Sequence, residues 1–234
     1  MGAIVFSDRF FERYLLDNFD YDNDGRISAD DASQVVSMQI DGEIVPHITN
    51  LQGIEHFTNL RELTVQHTKI STLDISRNEN LECLNCSDNQ LERLNLGRHS
   101  KLKRLYCNGN RLTELDLTNK RQLIVLLCGD NLLTELNASV SPLMFLRCEN
   151  NRLAELNLSK NKHLIDVQFN GNPLERLSLP AFYESRIEEI ICNNKHLGTI
   201  KQHYTHLWNK IELFSGNDTE ITIDFIPAMI SPDI

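Results

Sequence analysis

Between Leu60 and about Ile200 one phrase of twenty-one residues recurs with almost no insertion, and a repeat of that length leaves few architectures open. Its copies read LRELTVQHTKI, LECLNCSDNQL, LKRLYCNGNRL, LIVLLCGDNLL, LMFLRCENNRL, LIDVQFNGNPL and IEEIICNNKHL. They open at Leu60, Leu81, Leu102, Leu123, Leu143, Leu164 and Ile187, a spacing of 21, 21, 21, 20, 21 and then 23 residues. Self-similarity at such a period is the signature of a solenoid.

One unit shows why. From Leu81 the apolar positions are Leu81, Leu84, Cys86, Leu91, Leu94 and Leu96, too many for one strand and matching no single helical stripe. They suit a flattened coil whose two sides both point inward. Leu84 and Cys86 are two apart, as in a short strand that buries alternate side chains. Ordering a backbone costs about 1–2 kcal/mol per residue, so a lone coil with half its apolar face in water does not stand. Stacking covers that face, which is why such repeats come in series with atypical ends.

The ninth position carries Asn89, Asn110, Asn131, Asn151 and Asn172. A primary amide offers two donors and an acceptor, so a column of them can satisfy the backbone groups that a tight bend leaves unpaired. The phrase LxxLxCxxNxLxxL resembles the leucine-rich repeat, in the short bacterial form of Bacteroides-type surface proteins and internalins. The resemblance implies an α/β repeat fold: a right-handed solenoid with short parallel strands on its concave face and an N-terminal helical cap. It says little about a ligand.

Composition narrows the function. A net charge of −10 argues against a nucleic-acid or anionic-membrane surface. No apolar run approaches the roughly eighteen residues of a membrane span. MGAIVFSDRF has no basic region and only a short apolar stretch, so it does not read as a signal peptide. The chain is thus cytoplasmic, or its export signal is not part of this sequence. The resemblance favours the second reading, a secreted or cell-surface protein. Cys86, Cys107, Cys128, Cys148 and Cys192 share the sixth, inward position, where Val65 and Phe169 stand in other coils, so they read as small hydrophobes and not as metal ligands or disulfides. Cys83 points outward, the one thiol expected at the surface.

Ahead of the repeats, residues 7–19 read as an amphipathic helix with Ser7 as its N-cap. DYDNDGRISADD follows and matches an EF-hand calcium loop: Asp20, Asp22 and Asp24 at alternate positions, Gly25 at the turn, Arg26 through its carbonyl, Ser28 directly or through water, and Asp31 at the twelfth position. Glu is usual there. Asp31 resembles dockerin-type loops and leaves Mg²⁺ as an alternative to Ca²⁺. At the end of a solenoid the loop is expected to rigidify a cap, as in internalin-like proteins. The expected division is a cap at 1–40, a link at 41–59, repeats at 60–210 and a closing strand at 211–234. Trp208, Phe214 and Phe225 would cover the last coil.

No nucleophilic triad emerges, and His196, His203 and His206 sit in irregular sequence without a helix to align them, so an enzyme is not expected. If positions four and six point inward, positions three and five face the concave surface. That places Tyr106, Val125, Leu127 and Phe145 together, flanked by Arg104 and Arg147. An apolar cluster with aromatics and arginines has the composition of an interface centre. The expected function is therefore binding of a protein partner, with a monomeric chain. The alternative is attachment to a carbohydrate-associated assembly through the dockerin-like loop.

Overall fold

The leucines that open each coil, and the residues four and six places into it, all lose their contact with water. Leu81, Leu84 and Cys86 are 0% exposed, as are Leu102, Leu105 and Cys107 one coil on. The computed structural model describes residues 3–98, 100–180, 186–193, 211–214 and 222–225. Within them the chain is a parallel β-solenoid built on a column of such triplets.

The strands of the concave sheet are β1 (Ser37–Asp41), β2 (Glu62–Gln66), β4 (Cys83–Asn85), β6 (Arg104–Tyr106), β7 (Val125–Leu127), β8 (Phe145–Arg147), β10 (Asp166–Gln168), β12 (Glu189–Asn193) and β13 (Ile211–Phe214), in that order. Each pairs in parallel and in register, so that Leu63, Leu84, Leu105, Leu126, Leu146 and Val167 form one row. The opposite side of the coils carries β3 (Thr72–Asp74) with β5 (Arg93–Asn95), and β9 (Glu155–Asn157) with β11 (Arg176–Leu179) and β14 (Thr222–Phe225). The stretch from Ile211 reads as one closing strand, but the structure has two, and each extends a different sheet.

After β2, β4, β6, β7, β8 and β10 the chain turns through the left-handed region, at His67, Asp88, Gly109, Asp130, Asn150 and Gly171, with φ between 52° and 71°. Gly, Asn and Asp tolerate that conformation best, which explains the residue types at this position. At five of these six turns the next residue is the ladder asparagine, and after His67 it is Thr68. Asn131 Nδ2 donates to the carbonyls of Cys107 (3.0 Å), Cys128 (3.2 Å) and Gly129 (3.0 Å), and its Oδ1 accepts the Leu112 N–H at 3.0 Å. Asn89, Asn110, Asn151 and Asn172 bond in the same way, each bridging its own coil to the one before. Four cysteines of the inward column, Cys86, Cys107, Cys128 and Cys148, are free and fully buried, and burial pushes the Cys107 thiol up to about 12. They act as uncharged packing. Of the sixth cysteine in the repeats, Cys192, only the backbone pairing with Leu213 is described.

A second ladder on the far turn escapes the sequence reading because its residue types differ. Asn78 Nδ2 donates to Ile54 and Phe57 carbonyls, Asn161 Nδ2 to Ala138 and Ser141, and Ser141 Oγ to Lys120. Lys120 holds the intervening place: it is 0% exposed, and its Nζ reaches the Gly97 carbonyl at 2.7 Å.

At the N-terminus α1 (Arg9–Phe19) and α2 (Ala29–Gln34) precede β1. The cap of α1 is Asp8 and not Ser7: its Oδ1 accepts from the Phe10 and Phe11 N–H groups, while Ser7 Oγ donates to Asn50. Asp8 Oδ2 also accepts from Thr49 N (2.7 Å) and Oγ1 (2.9 Å), tying the helix to the link. Burial works to raise the Asp8 carboxyl, but the bonds from Thr49, Phe11 and Phe10 overcome it and hold it below the usual carboxylate range. Phe11 and Leu15 are buried, and the Tyr14 hydroxyl donates to the Gln39 carbonyl of β1. The first concave strand is thereby part of both cap and sheet. His196, His203, His206 and Trp208 lie outside the described residues, and the side chains of Phe214 and Phe225 are likewise not described.

Replacing Asn131 by Ala should lower the urea-unfolding free energy by more than about 2 kcal/mol, because an unsatisfied buried polar group costs about 1–3 kcal/mol and several are exposed to that fate here. Glu92→Ala, on an exposed turn, should change it by less than about 0.5 kcal/mol.

Candidate functional site

The register of the concave sheet decides which outward side chains meet. Arg104, Val125, Phe145 and Asp166 form one row, and Tyr106, Leu127, Arg147 and Gln168 the next. Adjacent members are about 4.8 Å apart. Tyr106, Val125 and Leu127 are half-buried and Phe145 is 38% exposed. The structure thus brings together the apolar residues that the sequence nominates.

It adds three more. Residue two of each coil, just before the strand, is Arg61, Glu82 and Lys103 in the early coils but Ile124, Met144 and Ile165 in the later ones. Met144 and Phe145 both donate their N–H to the Ile124 carbonyl, and Ile165 and Asp166 both donate to Met144, so the three side chains stack beside the first row. All are half-buried. The signal was present in the sequence as a switch from charged to apolar at one repeat position, but only the bonding shows that this position borders the face.

The arginines are already engaged. Arg104 Nη2 lies 3.4 Å from Glu62 Oε1 and Arg147 Nη2 lies 3.5 Å from Asp166 Oδ2. Lys103 pairs with Glu82 at 2.7 Å. Exposed pairs such as Arg104 with Glu62 contribute little to stability, about 0–1 kcal/mol. The pairs take up the positive charge of the arginines beside the patch.

The seventh position lies further along the same face and runs Ser87, Asn108, Gly129, Glu149 and Asn170. Glu149 stands out. Its carboxylate occupies the space where residue 129 has no side chain, so that a Cβ on Gly129 would collide with Glu149 Oε1. Burial pushes the Glu149 carboxyl up. Its own backbone N–H and Arg147 act against the shift, Asp130 and Asp166 with it.

The N-terminal loop is the second candidate. One carboxylate oxygen from each of Asp20, Asp22 and Asp24 lies within 4.8 Å of the others, Asp20 half-buried and the other two exposed. Gly25 turns the chain at φ +79°, and Arg26 is exposed. Ser28 and Asp31 are placed differently. They form a reciprocal capping box on α2, with Asp31 Oδ2 accepting from Ser28 N (2.9 Å) and Oγ (2.5 Å) and Oδ1 accepting from Tyr21 N. Burial works to raise the Asp31 carboxyl, but these bonds hold it low, so it stays ionised at neutral pH. Ile27 is buried and its carbonyl accepts the Ile4 N–H, which braces the loop from outside. A donor set made of carboxylate oxygens suits a hard divalent cation. The three aspartates fit that group. Asp31 is committed to the helix.

No family model matches the chain, and no curated protein is similar to it in sequence. Solved structures are similar in fold. The functional domain of InlJ from Listeria monocytogenes, which includes a cysteine ladder, is 23% identical with a TM-score of 0.58, covering 80% of this chain and 45% of that one. YopM, a leucine-rich effector protein from Yersinia pestis, is 21% identical with a TM-score of 0.64, covering 91% and 53%. InlP from Listeria monocytogenes is 19% identical with a TM-score of 0.59, covering 82% and 66%. This chain therefore spans about half the length of the first two. The shared feature is the leucine-rich-repeat solenoid, and no helix among the described residues is long and apolar enough to cross a membrane.

Proposed function

We propose that this leucine-rich-repeat solenoid is a non-enzymatic recognition module that binds a protein partner through the apolar patch on its concave face. The observation that carries the reading is the patch itself: Val125, Leu127, Met144 and Phe145 sit contiguously, with Tyr106, Ile124 and Ile165 at its edges, on a sheet whose other described outward side chains are mostly polar. Fold stability does not require them, since the inward column already closes the core. An exposed apolar cluster rimmed by polar groups is the usual mark of an interaction site. The leucine-rich-repeat fold, made of parallel strands on a curved face, is typical of interaction modules. The likeness to internalins and to an effector protein supports a setting at the cell surface or beyond it.

The N-terminal cap is the second part of the proposal. Asp20, Asp22 and Asp24 would hold Ca²⁺, with Mg²⁺ as the weaker ligand, and the ion would neutralise three like charges gathered in one turn. Because that turn joins α1 to α2, and α2 leads directly into β1, the gain is a stiffer end to the sheet. We retain the division into a cap at 1–40, a link at 41–59, repeats at 60–210 and a closing segment at 211–234.

Substituting Leu127 and Phe145 by Ser should leave the thermal transition within about 3 °C, because both point away from the inward column that closes the core. The double variant should nonetheless lose the retention of a partner captured by the wild type from host or neighbouring-cell surface extracts. Undiminished retention would sink the patch. Adding Ca²⁺ to chelator-treated protein should raise the melting temperature by several degrees, about what ligand at 100 times its Kd provides. Mg²⁺ should raise it less, and Asp22→Asn/Asp24→Asn should abolish the shift.

A further inference from the structure

The apolar patch is bordered by carboxylate oxygens whose hydrogen bonding is incomplete. We propose that Glu149 and Asp166 form the seat for a lysine or arginine side chain carried by the protein segment that docks on the patch. The inference rests on the partner-binding reading and adds the partner's chemistry to it.

Three acceptors carry the argument. Asp166 gives Oδ2 to Arg147, but its Oδ1 is buried without a hydrogen-bond partner, and the side chain is only 16% exposed. Glu149 Oε2 is also buried and unpartnered, with its carboxylate held over Gly129. Asn170, the residue at Glu149's position in the next coil, is 9% exposed, and its Oδ1 too has no partner. Buried polar groups in native proteins are nearly always paired, and a desolvated acceptor left alone is costly. What the three lack is the same thing, a donor.

Charge says which donor. Asp130 and Asp166 add negative charge beside Glu149, and Arg147 is the cation set against them, so acidic groups outnumber basic ones in the cluster. A cationic head group answers both the charge and the missing hydrogen bonds. A bare metal ion fits less well: among the described residues, only Asp20, Asp22 and Asp24 gather ligand atoms closely enough for one. The surroundings then select an amphipathic cation. Asp166 follows Phe145 in the same row, and Glu149 lies four residues further along the Phe145 coil. A side chain that rests an aliphatic stem on Phe145 and Leu127 brings its charged end to the half-buried Glu149 and Asp166 side chains, as Lys and Arg do on apolar surfaces, and the carboxylates turn their enclosed oxygens toward it on docking. Gly129 completes the seat, because any side chain there would displace the Glu149 carboxylate.

The test uses random peptides of about a dozen residues displayed on phage, selected against the immobilised full chain. Wild type should enrich peptides with Lys or Arg beside a large apolar residue. Glu149→Gln/Asp166→Asn should still enrich apolar peptides without the basic residue, and Phe145→Ser should enrich neither. For the best wild-type peptide made synthetically, replacing its basic residue by Gln should weaken binding about tenfold to wild type and less than about twofold to Glu149→Gln/Asp166→Asn. Glu12→Gln/Asp17→Asn, with the same change in net charge on α1, should behave as wild type. Equal basic enrichment on Glu149→Gln/Asp166→Asn, or none on wild type, overturns the seat while leaving the patch. Absence of any Phe145-dependent enrichment overturns the patch and the seat with it. The unliganded Glu149→Gln/Asp166→Asn protein should melt no lower than wild type. A lower melting temperature would mean that the carboxylates serve the fold.

Discussion

The bond from an asparagine amide to the carbonyls of two successive coils is the constraint on which the rest of this structure depends. Each concave strand must be followed by a left-handed turn to bring the chain back over the core, and that turn strands carbonyls inside the coil where water cannot reach them. Asn89, Asn110, Asn131, Asn151 and Asn172 cover those carbonyls and return an acceptor to an N–H of the preceding coil. The same amides therefore close one coil and fix its register on the next. Hydrophobic burial supplies the larger driving force, but leucines alone would permit slippage along a uniform column. The amides do not.

Register in turn creates the face. Because β6, β7 and β8 pair without stagger, Tyr106, Leu127 and Arg147 line up although they lie about twenty residues apart in the chain. Inward positions are bound to leucine, cysteine and asparagine, whereas outward positions are free of the core's demands. Function is thereby confined to residues two, three, five and seven of each coil. The apolar patch and the carboxylates of Glu149 and Asp166 sit in that set. Buried side-chain oxygens without a partner occur singly on the far turn, at Asn78 and Asn161, but three of them, on Glu149, Asp166 and Asn170, gather beside the patch, and such faults are expected where a protein meets something else.

Periodicity made the fold legible from the residues: the leucine columns, the inward cysteines and the asparagine ladder follow from the repeat alone. The outward residues of the patch followed as well, since a strand alternates its side chains. What stayed hidden lacked a fixed residue type. The far-turn ladder uses Asn78, Lys120, Ser141 and Asn161 for one task, and no pattern in identity reveals it. Asp8 displaced Ser7 as the α1 cap because its second oxygen also binds Thr49, a contact forty-one residues away that local spacing does not show. Asp31 belongs to a calcium-loop spacing, and the capping box it also forms with Ser28 on α2 is a pairing that the loop spacing does not show. Glu149 carries no signal of its own in the sequence, and it is the fold that lays its carboxylate over Gly129.

Backbone hydrogen exchange at Leu91, Leu112, Leu133 and Leu153 tests the central claim most directly, since each of these N–H groups donates to a ladder asparagine and to nothing else in the ladder's design. If the amide column holds the coils in register, all four should exchange among the slowest in the molecule and with matched protection, opening only when neighbouring coils separate together. Exchange as fast as that of Ser76, Thr118 and Ser139, whose N–H groups bond only within exposed turns, would contradict it. The coils would then be held by their leucines, and the concave face would have no fixed register on which to build a site.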